Sequence, residues 1–160
     1  MNAAEINQAL KDYRVNNTFC ILAITNVDLY PSEEGNFVFG LADMSSSCGV
    51  FSFSPSRHAA MNAEMNVAGL SREEMTNILM KRSSGNMVHE IVHMFGLRHC
   101  VYYECTMNGA NGPFEGDRAP NRTLCPVCLC KLKCNAKFDC RERFVELIRV
   151  SQEQGFHVQA

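Results

Sequence analysis

The sequence predicts an α/β fold built on one sheet, in a single domain of 160 residues. Short segments rich in β-branched and aromatic residues come first, and segments with helical periodicity follow. Strands followed by helices in one chain favour helices packed on a common sheet. Hydrophobic residues make up 46% of the chain and charged residues 20%, which is a globular composition. A domain of this length can bury a core without disulfides.

The first elements are a helix and three strand segments. Residues 3–13 place apolar side chains at helical spacing and predict a short amphipathic helix. The apolar run "TFCILAIT" (18–25) predicts a strand buried on both faces. The segments "NFVFGLA" (36–42) and "CGVFSFS" (48–54) alternate apolar and small or polar residues, and a polar connection joins them. We expect these two segments to form neighbouring antiparallel strands.

Helices are predicted for much of the second half of the chain. Ser71 and Glu74 have the spacing of a capping box, so a helix is expected to begin there and run through "SREEMTNILMKRSSGNM" (71–87), with a further helix after it. Residues 106–124 are rich in Gly, Pro and Asn and are expected to be mostly irregular. The last helix is expected over 138–150. Its apolar face carries Cys140, Phe144, Leu147 and Ile148.

The segment "HEIVHMFGLRHC" (89–100) contains the candidate metal-binding and catalytic residues. On a helix, His89 and His93 share one face, one turn apart, and can bind one metal ion. Glu90 lies beside them. Gly96 can end the helix in a left-handed conformation, so that the chain turns back and brings His99 to the same ion. Three neutral imidazoles can hold zinc and leave a fourth position open for water.

These parts are sufficient for amide hydrolysis. Zinc lowers the pKa of a bound water to ~7 and polarises a carbonyl group. Glu90 can then act as the general base and return the proton to the leaving amine. The extended pattern H-E-x-x-H-x-x-G-x-x-H is the metzincin signature of zinc peptidases. The alternative is a core helix with hydrogen-bonded histidines, which the placement of the glycine and the third histidine disfavours.

A second group of potential ligands consists of four cysteines. Cys100 and Cys105 precede the irregular segment, and Cys125 and Cys128 follow it as "CPVC". Two such pairs can close a four-thiolate site, which leaves no position for water and is therefore structural. Metal binding there would contribute on the order of 10 kcal/mol to folding. The alternative is reduced thiols without a metal.

The cysteine count and the N-terminal sequence indicate the cellular compartment of the protein. Nine cysteines is many for this length, and residues 1–17 contain no apolar signal-peptide core. We therefore expect metal ligands rather than disulfides, in an intracellular, cytoplasmic protein, with the nucleus as an alternative. Cys130, Cys134 and Cys140 lack matched pairs and a histidine partner, so they are interpreted as surface or buried thiols. A third metal site, or exchange of metal between Cys128 and Cys130, is the alternative.

The spacing of these motifs resembles that of one known family. After the histidine motif come C-x4-C-x-M, which ends at Met107, then seventeen residues and C-x-x-C. This arrangement, kept from His89 to Cys128, resembles the archaemetzincin family of zinc metallopeptidases. The strings "FCILAITNVDLYP", "NFVFG" and "LCPVCLCKLKC" are also similar to that family. The resemblance covers most of the chain between about residues 18 and 150.

The resemblance implies a metzincin-like fold in one metallopeptidase domain, 1–160. A twisted mixed sheet and the active-site helix would occupy residues 1–99. A small zinc-stabilised C-terminal subdomain, 100–160, would contain the Met-turn and end in a helix. An extended substrate would lie antiparallel along an edge strand, for which 48–54 is the candidate. The chain starts at a helix where metzincins usually have a strand, so either a strand is missing from the sheet or the chain is truncated.

The resemblance also implies roles for individual residues. Two Zn²⁺ ions are expected, one catalytic and one structural, with Glu90 as general base and Met107 beneath the site. The catalytic zinc would be held by His89, His93 and His99, and the structural zinc by Cys100, Cys105, Cys125 and Cys128. The predicted function is a zinc-dependent metallopeptidase acting on a peptide or protein, either as an aminopeptidase or as an endopeptidase. The alternative is a zinc-stabilised binding module of the same fold with little or no turnover.

Composition argues against other classes of partner. The net charge of −2 provides no basic surface for nucleic acid or an anionic membrane. No apolar run approaches the ~20 residues needed to span a bilayer. The sequence leaves the oligomeric state open, and we expect a monomer.

Overall fold

The structure is a computed structural model that describes residues 1–32, 37–54, 69–109 and 123–153. Most of the segment expected to be irregular, 110–122, therefore lies outside the described residues. The helices and strands follow in the order α1 (Ala3–Asp12), β1 (Ile21–Thr25), β2 (Gly40–Asp43), β3 (Cys48–Ser52), α2 (Arg72–Met94), α3 (Pro126–Ala136) and α4 (Cys140–Glu153).

The strands form a mixed sheet in the order β1-β3-β2. Strand β1 runs parallel to β3, with Ala23 opposite Val50, and β2 runs antiparallel to β3, with Leu41 opposite Val50. The predicted α/β class, the mixed sheet and the antiparallel pairing of β2 with β3 are therefore confirmed.

Two expectations about the strands are wrong. Strand β3 is the central strand of the sheet and not an edge, so it cannot pair with a substrate. Strand β1 is not buried on both faces, because Ile24 is 60% exposed. The reason is the placement of the helices: among the described residues, α1 and α2 pack mainly on β2 and β3. The chain order of short apolar strands does not reveal which of them becomes central.

Helix α1 begins as the amphipathic pattern predicts. The side chain of Asn2 accepts hydrogen bonds from the backbone N–H groups of Ala4 and Glu5 and caps the helix. Ala3 is fully buried and packs with Leu29 and Val50 in a core between the helix and the sheet. This core holds α1 against the sheet, and α2 contacts β2 and β3 of the same sheet.

Helix α2 is one continuous helix of 23 residues, whereas two successive helices were expected. The predicted capping box is present: the Ser71 hydroxyl accepts from the Glu74 N–H, and the Glu74 carboxylate accepts from the Ser71 N–H. The weak helix formers at its middle do not break it. Ser83 is fully buried there, so tertiary packing outweighs local propensity.

A second core lies around the cysteines near the C-terminus. Val92, Leu97 and Met107 are buried in it together with four cysteines, and α3 packs against it through Leu132. Helix α3 was not predicted, although Pro126 at its first turn is a recognised helix-start signal. Residues from both sides of position 99 share this core, and the proposed division into subdomains stays a prediction.

The last helix, α4, confirms the predicted terminal helix. None of its residues is buried, and Phe144 and Ile148 are about half exposed (49% and 51%). Within the described part of the chain, no helix is both long and apolar enough to cross a membrane.

Candidate metal centres

Helix α2 and the turn after it bring three histidines together. His89 and His93 lie one helical turn apart near the end of α2. Gly96 has a φ of +83°, and its N–H donates to the His93 carbonyl (2.8 Å). The Leu97 N–H donates to the Val92 carbonyl (3.4 Å), which completes a Schellman turn. The chain reverses there as predicted.

His99, after the reversed turn, lies beside the other two histidines. Its ring centroid is 5.2 Å from that of His89 and 4.9 Å from that of His93. Gly109 packs against it, because a Cβ at that position would lie 3.1 Å from the Nδ1 of His99. His99 is the exposed member of the group, so this side of the cluster faces solvent.

Hydrogen bonds fix the tautomers of two histidines. The Nδ1 of His89 is 2.7 Å from the Thr106 carbonyl, and the Nδ1 of His93 is 2.6 Å from the Leu97 carbonyl. A carbonyl can only accept, so both Nδ1 atoms carry the proton. In the neutral rings each Nε2 therefore carries the lone pair. The two Nε2 atoms lie 2.9 Å apart.

These histidines fit a metal ion. One nitrogen from each of His89, His93 and His99 lies within 4.8 Å of the others. Two imidazole nitrogens on one tetrahedral zinc lie about 3.3 Å apart, close to the observed separation. Burial also lowers the pKa of His93, which favours the neutral form that binds metal. Two lone pairs facing each other repel unless a cation or a proton lies between them.

Glu90 lies against strand β2. Its carboxylate accepts a hydrogen bond from the Ala42 N–H. Burial raises the pKa of the Glu90 carboxyl to about 7, and this hydrogen bond opposes the rise. A Cβ at Gly40 would lie 2.7 Å from the Cγ of Glu90, so only glycine leaves room for this side chain. A carboxyl with a pKa near neutrality, on the residue that follows His89, is suited to accept and release protons.

The four predicted cysteines form a separate buried cluster. Their sulfur atoms lie within 4.8 Å of one another, and the cluster consists of Cys100, Cys105, Cys125 and Cys128. All four are buried, with no disulfide among the described cysteines. Backbone N–H groups point at the sulfurs: Met107 (3.4 Å) and Cys125 (3.2 Å) donate to Cys105, and Cys128 (3.4 Å) donates to Cys125.

Burial and mutual contact shift the pKa values of the clustered thiols. Burial raises the pKa of Cys105. Burial and the three neighbouring thiols raise that of Cys128. Burial acts in the same direction on Cys100, but backbone hydrogen bonds at Tyr102 and Tyr103 lower its pKa to about 7. One thiolate thus makes the others harder to ionise, and a divalent cation would relieve this repulsion. The donor set fits zinc.

The segment that follows His99, residues 100–108, is held by backbone and side-chain hydrogen bonds. The Cys100 N–H donates to the carbonyl of Met107, which is fully buried (2.7 Å). The Asn108 side chain accepts from the Cys105 N–H (2.8 Å) and donates to the carbonyls of Cys100 (2.7 Å) and Tyr103 (2.9 Å). These bonds set the position of the intervening Thr106 carbonyl, which orients His89.

The structure thus brings each predicted ligand into its expected group. Met107 is buried in the core that contains the four cysteines, and Glu90 follows His89 on α2 with its side chain against β2. Four further residues shape the site and were not predicted. Asn108 had a weak signal, because Asn-Gly favours a turn. Gly40, Ala42 and Thr106 had none, since each acts through a contact distant in sequence. The roles of all these residues in binding or catalysis stay predictions.

A mixed sheet beside a helix that ends in this histidine arrangement defines a metzincin-like protein. The model of Peptidase family M54 matches residues 2–134. The chain therefore belongs to this family, the archaemetzincins, whose members are zinc metallopeptidases.

Relatives and solved structures agree with this assignment. Archaemetzincin-2 from Macaca fascicularis is 39% identical over 93% of this chain, and the chain spans 46% of the length of that relative. An archaemetzincin structure from Methanopyrus kandleri superposes with a TM-score of 0.62 at 26% identity, covering 86% of this chain and 67% of that one. A zinc-dependent peptidase from Methanocorpusculum labreanum gives 0.61 at 26% identity, covering 82% and 73%.

Proposed function

We propose that this chain is a zinc-dependent peptidase that hydrolyses peptide bonds with Glu90 as its general base. The observation that carries the proposal is the close approach of the His89 and His93 Nε2 atoms, 2.9 Å apart, on the helix that also carries Glu90, whose pKa burial raises to about 7. His99 completes the ligand set. A second zinc ion is assigned to the four cysteines, so the proposed content is two ions per chain.

The residues divide the chemistry among them. A zinc ion held by the three histidines supplies Lewis acidity, which polarises the substrate carbonyl and acidifies water. The Glu90 carboxylate accepts a proton from the attacking water and later delivers it to the nitrogen of the leaving amine. The Thr106 and Leu97 carbonyls hold the two helical histidines in the tautomer that ligates metal.

We assign the substrate to the outer edge of β2 in place of β3. The Ser52 N–H donates to the Phe39 carbonyl (2.7 Å), so alternate residues of this segment pair with β3. Gly40 and Ala42 therefore direct their backbone groups away from β3, and the Ala42 N–H donates to Glu90. An extended peptide adding to this edge would lie beside the histidine cluster.

The test is a mass-spectrometric cleavage profile of a mixed peptide library. The zinc-loaded protein is compared with Glu90→Gln, which keeps the shape of the side chain but removes the base. We expect new peptide termini with the first and a ~10²–10⁴-fold slower appearance with the second. The positions of the new termini distinguish an aminopeptidase from an endopeptidase.

A matched control is Glu104→Gln, which changes an exposed carboxylate between Cys100 and Cys105. This variant should cleave like the unmodified chain, and zinc content should be equal in all three proteins. Identical profiles with and without Glu90 would contradict the proposal. The two clusters would then support a binding module rather than an enzyme.

A further inference from the structure

Helix α3 carries cysteines on two different faces. Cys128 points into the buried cluster, whereas Cys130 and Cys134 are exposed. Two residues along a helix correspond to about 200° of rotation, so Cys130 lies on the face opposite Cys128. Cys134, four residues after Cys130, lies on the same outer face one turn further. The outer pair therefore cannot reach an ion held by the buried cluster.

We propose that Cys130 and Cys134 form a third metal site, which binds a soft monovalent cation between two thiolates. The geometry favours an ion over a disulfide. The Cβ atoms of residues four apart on a helix are about 5–6 Å apart, whereas a disulfide needs about 3.5–4.5 Å. Two metal–sulfur bonds of about 2.3 Å let the sulfurs lie up to about 4.6 Å apart, which a regular helix can accommodate.

The surroundings of the pair suit such an ion. Both cysteines line one surface hollow together with Pro126, Val127 and Lys131. Pro126 and Val127 make one end of the hollow apolar. Two thiolates around a monovalent cation carry a net charge of −1, and the Lys131 ammonium in the same hollow offsets it.

Thiolate donors select soft ions such as monovalent copper. On binding, each thiol releases its proton to solvent as its sulfur–copper bond forms, and no electron is transferred. The site would differ from the buried four-cysteine cluster in two respects. It has two ligands instead of four, and it is open to solvent, so its ion can exchange without unfolding the chain.

The experiment is a titration of the zinc-loaded protein with monovalent copper under anaerobic conditions, in competition with a coloured copper chelator. Native mass spectrometry counts copper and zinc on each chain. We expect one copper to bind without release of zinc. Cys130→Ser and Cys134→Ser should each weaken binding by at least ~100-fold, because changes to groups that merely support ligands already cost up to that much.

Cys20→Ser is the matched control, since it removes a thiol from the segment before β1 and leaves α3 unchanged. It should bind copper like the unmodified chain. Far-ultraviolet circular dichroism should show that the α3 variants remain folded, because both positions are exposed. Unchanged copper affinity in both α3 variants, or copper uptake only as zinc leaves, would overturn the proposal.

Discussion

The two ligand clusters of this chain lie next to each other in sequence but differ in exposure. The four cysteines are all buried and belong to a hydrophobic core. The histidine cluster lies at the end of a helix, and its third member, His99, is exposed. A closed cluster can contribute to folding, whereas an open one can admit a substrate. We therefore expect folding to depend on the cysteine cluster and peptide hydrolysis to depend on the histidine cluster.

The largest effect should follow from Cys128→Ser, which removes a ligand from the buried cluster. Loss of a structural zinc costs on the order of 10 kcal/mol, comparable to the entire stability of a typical domain. We expect helical circular dichroism to fall sharply and the zinc content to drop by more than one ion, because the Thr106 carbonyl that orients His89 is released as well.

The matched variant is His99→Ala, which removes a ligand from the open cluster. It should lose one zinc, stay folded and lose peptidase activity. Equal loss of structure in the two variants would break the contrast between a structural and a catalytic cluster.

The two clusters should lose their metal ions at different rates. A zinc-binding dye added to the zinc-loaded protein is expected to extract one ion rapidly from the open cluster and the other slowly. The slow phase should become fast after a mercurial reagent blocks the thiols. His99→Ala should lack the fast phase, and a single uniform phase in the unmodified chain would contradict the assignment.

Gly40→Ala should reduce catalysis without removing metal. The added methyl group would lie 2.7 Å from the Cγ of Glu90 and 3.1 Å from the Val50 carbonyl oxygen, so Glu90 must move. Displacement of a catalytic group by about 1 Å can cost ~10²-fold in rate. We expect kcat to fall by about that factor while the zinc content stays unchanged.

Gly49→Ala is the control for Gly40→Ala. A Cβ there would meet the flexible ends of Met94 and Leu22 at 3.2 and 3.3 Å, and not Glu90. The Gly49 variant should retain a kcat closer to that of the unmodified chain. An equal loss of kcat in the two variants would indicate a general disturbance of the sheet.

The smallest effect is expected at Asp43, which is not a ligand in either cluster. Hydrogen bonds from Ser45 and Ser46, together with Lys11, hold the pKa of the Asp43 carboxyl well below its ordinary value. A lowered pKa means that the stabilisation is present above about pH 4 and is lost as the pH falls towards the folded-state value. Asp43→Asn should therefore cost about 1 kcal/mol at pH 7 and progressively less in acid.

Urea titrations at several pH values would measure this difference in the free energy of unfolding. A pH-independent difference would mean that the charge of Asp43 does not contribute. The result also provides a baseline for an ordinary contact, against which the effect of Cys128→Ser can be compared.

The parts of the site that sequence could predict are those set by local geometry. Helical spacing places His89 and His93 on one face, and Gly96 supplies the turn that returns His99. The central position of β3 and the contact between Gly40 and Glu90 depend on pairing between distant segments, for which no local pattern exists. The continuity of α2 through Ser83 was missed for a related reason, because burial of this residue by other parts of the chain overrides its low helix propensity.

The hydrogen bond from His89 to the Thr106 carbonyl constrains the number of residues in the segment that follows Cys100. His99 and Cys100 are adjacent, yet they belong to different clusters. The Asn108 side chain bonds to the backbone of Cys100 and Cys105 and so links the two ends of the segment 100–105. A residue inserted between Cys100 and Cys105 would shift a cysteine ligand and also the carbonyl that orients a histidine. The spacing of this short segment is therefore constrained twice, and a change in its length would impair both clusters in a single step.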